Sequence, residues 1–212
     1  MIKGTRRNLP WLTAALAAST AALHAALGPA PAAWVYDRAA IGGGEWWRLV
    51  SGHWLHADGG HLYWNLVALL LLGSMVELRS RALLIAALLS GSAGVAAMLW
   101  LASPALGYYC GLSGVLNALL LPALVTVRRP ADNGLLWLIG VLSLGKILVE
   151  LASGQALFTH NLWASVPEVH LAGWLAGLLM LCCLRPWLRD MLPAGSDGAT
   201  YSETLWTGKR AA

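Results

Sequence analysis

Six long apolar segments dominate this chain, and each is close to the length that a helix needs to cross a lipid bilayer. They cover residues 9–27, 61–78, 82–102, 112–127, 134–152 and 168–186. Hydrophobic residues make up 58% of the chain and charged residues 11%, whereas a soluble domain has about a quarter charged residues. A transmembrane helix needs about 20 mainly apolar residues. The sequence therefore predicts an all-α membrane protein with a bundle of six transmembrane helices.

The chain divides into one membrane domain, residues 1–192, and a polar tail, residues 193–212. The long connection at 28–60 mixes glycine, proline and tryptophan, and we expect it to form ordered structure that lies outside the membrane or is half-embedded in it. The tail is polar and rich in small residues, which predicts disorder. The basic N-terminus and the small residues after the first apolar segment are also typical of a cleaved signal peptide. The length of that segment favours a retained span instead.

Basic residues predict the orientation of the bundle. If the N-terminus is cytoplasmic and six spans alternate, eleven of the fourteen Lys and Arg residues lie on the cytoplasmic side, as the positive-inside rule requires. These are Lys3, Arg6, Arg7, Arg79, Arg81, Arg128, Arg129, Arg185, Arg189, Lys209 and Arg210. Since this charge is spread over short loops and termini, it fits membrane anchoring and predicts no nucleic-acid partner.

Polar side chains lie at the start of three predicted spans. His61 and Asn65 are one helical turn apart at the start of the second span, Ser113 begins the fourth, and His170 begins the sixth. Polar groups inside a bilayer are costly unless they have partners or water. The predicted topology brings all four residues to the outer face, which indicates a hydrolytic site built within the membrane.

The residue types suggest a division of roles. A serine hydroxyl is a weak nucleophile that needs a base, so Ser113 is the candidate nucleophile and His170 the candidate base and acid. Four candidates could stabilise an oxyanion: the backbone N–H of Ser113, together with the residues His61, Asn65 and Gly111.

Small residues accompany these candidates. Gly114 follows the candidate nucleophile, and Gly173 and Gly177 follow His170 at three and seven residues. Such a face lets two membrane helices approach closely. Taken alone, a Gly-x-Ser-Gly stretch is more often a packing motif than a catalytic one.

These stretches, taken together, resemble the rhomboid family of intramembrane serine proteases. The matching residues are Glu45-Trp46-Trp47-Arg48, His56 through Asn65, Glu77, Gly111-Leu112-Ser113-Gly114, and His170 with Gly173 and Gly177. The resemblance covers about residues 45–185. It implies a Ser–His dyad without an acid or a cofactor, an oxyanion role for the His-x3-Asn pair, and a structural Trp-Arg loop. It also implies a transmembrane-helix protein as substrate, cut near its outer end.

One position departs from the family pattern. One turn after the nucleophile most rhomboids carry a tyrosine beneath the histidine ring, and here that residue is Asn117. Its amide is a candidate for orienting His170 through a hydrogen bond, as an asparagine does in papain-like enzymes. The alternative is a helix-to-helix contact.

The stretch Tyr109 to Asn117 and the compact body without an appended domain look like the rhombosortase branch of the family, with which we also associate Lys146-x3-Glu150. That branch implies a multi-pass protein of the bacterial inner membrane with its active site facing the periplasm. Its implied substrates are exported proteins that end in a Gly-Gly motif, one transmembrane helix and a basic tail. Lys146 and Glu150 could also simply pair with each other.

Other classes of function stay open or are disfavoured by the sequence. A catalytically inactive rhomboid-like binder of transmembrane helices is the main alternative. A transporter would more often show an internal repeat or broken helices in two halves. We expect no metal, because the His56-x4-His61 spacing differs from the His-Glu-x2-His motif of zinc metalloproteases. The sequence does not separate hydrolysis from transfer of the acyl group to an amine.

Overall fold

The fold is taken from a computed structural model, which describes residues 9–127, 133–154, 157 and 166–187. The predicted polar tail 193–212 lies outside the described residues. So do eight of the basic residues on which the predicted orientation depends: Lys3, Arg6, Arg7, Arg128, Arg129, Arg189, Lys209 and Arg210. The orientation of the N-terminus therefore stays a prediction.

Helices account for most of the described chain. The helices are α1 Trp11–Leu27, α2 Arg38–Gly42, α3 Arg48–Ser51, α4 Gly59–Ala68, α5 Ser74–Arg79, α6 Arg81–Ala97, α7 Ser113–Val127, α8 Asn133–Ser153 and α9 Pro167–Cys183. A short 3₁₀ turn, Gly52–Trp54, follows α3. A π-helical turn, Leu69–Gly73, joins α4 to α5 without a break, and a second one, Met98–Ala102, extends α6.

Counting each π-helical turn with the helices that it joins, three continuous helical stretches of the described chain are long and apolar enough to cross a membrane. They are Gly59–Arg79 with 21 residues, Arg81–Ala102 with 22 and Gly134–Ser153 with 20. The apolar helices α1, α7 and α9 have only 15 to 17 residues. At 1.5 Å per residue they cover about 22–26 Å, less than the core of about 30 Å. The predicted segments all coincide with helices, and the count of six spans stays a prediction.

The prediction of an all-helical bundle missed one element. Two strands of two residues each, β1 Tyr36–Asp37 and β2 Tyr108–Tyr109, form an antiparallel ladder in which Tyr36 faces Tyr109. Strands this short leave no alternating pattern in a sequence. The ladder ties the loop between α1 and α4 to the segment that leads into α7.

A buried arginine holds that same loop together. The Arg48 side chain is 7% exposed. Its Nε donates to Glu45 Oε2 at 2.6 Å, and its Nη1 donates to the carbonyls of Ala32 and Val35 at 2.6 and 3.0 Å. A buried charge is costly unless it is paired and hydrogen-bonded. These contacts meet both needs, and they are the kind of structural role that the resemblance implies for the Trp-Arg loop.

Glycines let the three central helices approach backbone to backbone. A Cβ at Gly173 would collide with the carbonyl oxygen of Gly114, and one at Gly177 would lie 2.5 Å from the carbonyl oxygen of Ala118. On α6, a Cβ at Gly91 would lie 2.8 Å from the Ala118 Cβ. Helices α6, α7 and α9 therefore pack closely against one another, which fixes the position of the first residue of α7.

Candidate active site

Ser113 is the first residue of α7, and His170 lies in the first turn of α9. The close glycine packing of these two helices brings the side chains together, with His170 Nε2 at 3.0 Å from Ser113 Oγ. This is the distance at which a hydroxyl donates a hydrogen bond to a ring nitrogen. Pro167 at the first position of α9 suits a helix start, where its missing N–H costs nothing.

A cavity of about 980 Å³ opens beside this pair. Its walls come from the N-terminal turns of α4, α7 and α9, from the middle of α8, and from the segments 30–35 and 106–110. The polar residues that line it include His61, Asn65, Ser113, Asn117, Lys146 and His170. The four residues that the sequence predicted to converge thus line one cavity, and it is large enough to hold several residues of an extended peptide.

His61 and Asn65 line this cavity, and each carries a buried nitrogen without a hydrogen-bond partner among the described residues. Asp58 caps α4 by accepting from the His61 backbone N–H at 2.8 Å, which fixes the helix start. Both Nδ1 of His61 and Nδ2 of Asn65 are buried without a hydrogen-bond partner among the described residues. A buried donor without a partner is costly.

Gly111 has a different role from the one expected. Its backbone N–H donates to the carbonyl oxygen of Gly52 at 3.0 Å, so this N–H is committed and does not face the site as an oxyanion donor. Its φ of 132° suits glycine alone, and a Cβ there would lie 2.5 Å from Cε1 of His61. Gly111 therefore makes room for the His61 ring.

Asn117 also makes a different contact from the predicted one. Its Nδ2 donates to the backbone carbonyl of Ser113 at 2.9 Å, because an i+4 side chain on the same helix reaches that carbonyl most easily. The group that meets the second nitrogen of the histidine is a carboxylate instead. Glu150 Oε2 lies 3.4 Å from His170 Nδ1.

Glu150 is a residue for which the sequence reasoning proposed no role at the site. The signal was present, because an acidic side chain inside an apolar span needs a partner. The i+4 spacing suggested Lys146 as that partner, and the two do pair, with Lys146 Nζ at 2.7 Å from Glu150 Oε1. Only the position of α8 beside α9 shows that the other carboxylate oxygen faces His170.

Cys110 is the other nucleophilic side chain near the site. It is 5% exposed, and burial raises the pKa of its thiol to about 12. A thiol is nucleophilic as the thiolate, so Cys110 is a poor nucleophile at neutral pH. Burial also raises the pKa of the neighbouring Tyr109, whose hydroxyl donates to the Gly111 carbonyl at 2.9 Å.

Among residues 9–127, 133–154 and 166–187 there is no group of three His, Cys, Asp or Glu side chains placed to hold an ion. The expectation of a metal-free and cofactor-free site stays a prediction.

Comparison with known families now identifies the chain. A family model described as the Rhomboid domain matches residues 43–187, which is more than half of the chain. A comparison with curated proteins found no match. Rhomboid proteins are generally intramembrane serine proteases that act on transmembrane proteins, although some members are inactive. Together with its long apolar helices, the match shows that this chain is a membrane protein and belongs to the rhomboid family.

Proposed function

We propose that this protein is an intramembrane serine endopeptidase that uses Ser113 as nucleophile and His170 as general base. The observation that carries the proposal is the 3.0 Å contact between His170 Nε2 and Ser113 Oγ at the edge of a large cavity. Both residues of the dyad are present, which favours an enzyme over an inactive rhomboid-like binder.

The reaction is an acyl transfer in two steps. Ser113 Oγ attacks the carbonyl carbon of the substrate peptide bond while its proton passes to His170 Nε2. The C–N bond then breaks, and the leaving amine takes that proton. Water, activated in the same way by His170, attacks the resulting ester and releases the carboxylic acid and the free serine. An amine in place of water would give a new amide from the same acyl-enzyme.

The developing oxyanion needs donors that are in place before the reaction. We assign this role to the Asn65 amide, the His61 ring and the backbone N–H of Ser113. Two of these groups, Asn65 and His61, carry buried nitrogen atoms without partners in the described part of the chain. Loss of one such donor typically lowers kcat about 100- to 1000-fold.

The substrate in this proposal is a single-span membrane protein, cut near the outer face of the bilayer. The resemblance to the rhombosortase branch suggests a substrate with a C-terminal Gly-Gly motif, one transmembrane helix and a basic tail. In the same proposal the protein spans the bacterial inner membrane and its site faces the periplasm. The basic residues of the chain support this orientation through the positive-inside rule.

The test uses purified full-length protein in liposomes. A fluorescent fluorophosphonate should label the wild type and the control variant Ser90→Ala. Ser90 is a serine on α6 whose hydroxyl donates to the Ala87 carbonyl. Labelling should vanish in Ser113→Ala and become very slow in His170→Ala, because the nucleophile or its base is lost.

A second readout addresses the substrate. The same liposomes receive a test protein with a Gly-Gly motif, one helix and a basic tail, and mass spectrometry identifies the products. A Ser113-dependent cut near the Gly-Gly motif supports the substrate class, and the mass of the new C-terminus separates hydrolysis from transfer to an amine. Labelling without a cut rejects that substrate class. If folded wild-type protein is neither labelled nor active, the inactive binder becomes the better interpretation.

A further inference from the structure

Glu150 is a buried carboxylate inside an apolar helix, and three groups contact it, one of them from another helix. The side chain is 1% exposed. Lys146 Nζ, one turn earlier on α8, lies 2.7 Å from Oε1, and the backbone N–H of Leu157 donates to the same oxygen at 3.0 Å. The third contact joins Oε2 to His170 Nδ1 at 3.4 Å. With Oε1 held twice, the carboxylate has a fixed orientation in which Oε2 faces the imidazole.

The role of His170 as a base decides which atom of that contact donates the hydrogen bond and which accepts it. To accept the proton of Ser113, Nε2 must be unprotonated in the resting enzyme, so the neutral ring carries its proton on Nδ1. Glu150 Oε2 is then the acceptor for this N–H. A distance of 3.4 Å is long for such a bond, and catalytic hydrogen bonds are often long before substrate binds.

We propose that Glu150 is a positioning residue, so that Ser113, His170 and Glu150 are linked in that order by hydrogen bonds. This inference rests on the proposed function. The carboxylate selects the tautomer in which Nε2 faces Ser113, and it stabilises the imidazolium that forms when Ser113 gives up its proton. A carboxylate near an imidazolium interacts more strongly where water is excluded.

Other charged or titratable groups line the same cavity as His170, among them Tyr108, Tyr109 and Cys110 from the segment before α7. His61 approaches from α4, Glu168 lies on α9 and lines the same cavity, and Lys146 reaches the site through Glu150. The competing explanation is that Glu150 only neutralises Lys146, since a buried ion without a partner is strongly destabilising. Any test of Glu150 must separate these two roles.

The experiment compares Glu150→Gln, Lys146→Met and the double variant Glu150→Gln/Lys146→Met with the wild type. The double variant leaves neither ion unpaired, so its folding does not depend on the pair, and thermal unfolding checks it. The readout is the rate of Ser113 labelling by a fluorophosphonate in liposomes as a function of pH, which needs no knowledge of the natural substrate.

We expect Glu150→Gln to be labelled at least about tenfold more slowly than the wild type, and the double variant at least about tenfold more slowly than Lys146→Met. The reason is that a general base contributes about 100- to 10,000-fold to the rate. We also expect the acid limb of the pH profile of labelling to differ from that of the variant or wild type that keeps Glu150, because the carboxylate that faces His170 Nδ1 is gone. A merely structural role would not move this limb.

Two results would overturn the inference. If the double variant is labelled like Lys146→Met with the same acid limb, Glu150 serves only as the counter-ion of Lys146. If the wild type itself shows no Ser113-dependent labelling, the proposed function fails and the inference falls with it. The first result leaves the Ser113–His170 proposal intact, so the two failures are distinguishable.

Discussion

At the scale of single residues, small differences in the position of a side chain decide which hydrogen-bond partner it finds in the site. Ser113, His61 and Asn65 each follow from the sequence as candidates, but the hydrogen-bond partners of Asn117 and Gly111 do not. Whether an amide reaches a ring on another helix or a carbonyl on its own helix is decided by distances of a few ångströms, and a single sequence does not carry them.

Gly111→Ala tests the space that glycine leaves for His61. The new Cβ would lie 2.5 Å from His61 Cε1, and a φ of 132° is strained for alanine. We expect the variant to lose at least about tenfold in Ser113 labelling, since misplacing a catalytic group slightly can cost about 100-fold. Gly107→Ala is the matched control, because a Cβ there meets nothing within 4 Å. Equal labelling of the two variants would contradict the role given to Gly111.

At the scale of elements, the position of the nucleophile follows from how α7 is held. Helices α6 and α9 pack on it through glycines, and the ladder between β1 and β2 fixes the segment just before it. The hydrogen bond from the Gly111 N–H to the Gly52 carbonyl is a third contact that holds the same segment. By contrast α8, which carries Glu150, exposes many of its large apolar side chains and packs less closely.

Gly173→Ala should destabilise the contact between α7 and α9. The added methyl group collides with the Gly114 carbonyl, which is backbone and cannot move aside cheaply. We expect a loss of about 1–3 kcal/mol, the usual cost of overpacking, together with slower Ser113 labelling. The measurement is thermal unfolding in detergent. Gly145→Ala on α8 is the control, because a Cβ there meets nothing within 4 Å, and similar melting temperatures for both variants would argue against this packing.

At the scale of the whole molecule, the loop between α1 and α4 covers the bundle end that carries the site. Two histidines in it are buried, and burial lowers the pKa of His53 to about 4 and that of His56 to about 3. Both rings are therefore neutral at pH 7, and charging either one within the folded protein is unfavourable. The loop thus couples the stability of the fold to pH.

Stability should fall as the pH decreases from about 6.5 to about 4. In this window the unfolded chain binds a proton at His53, whose ordinary pKa is 6.5, while the folded protein resists it down to a pKa of about 4. Since the unfolded state binds more protons, the free energy of unfolding decreases with falling pH. The check is the melting temperature in detergent at several pH values. His53→Gln, which removes this titration, should show a shallower decrease, and an unchanged slope would contradict the assignment.

The sequence by itself determined the class of the protein, the six apolar segments, and the residues able to carry the chemistry. It could do so because apolar length, helical spacing and the cost of polar groups in a bilayer are local properties of a chain. The tertiary structure alone decided which of these residues meet. The Glu150–His170 contact, the commitment of the Gly111 N–H and the β1–β2 ladder join segments far apart in the chain. Such contacts depend on how helices pack, and the pattern of one segment contains no information about its distance from another.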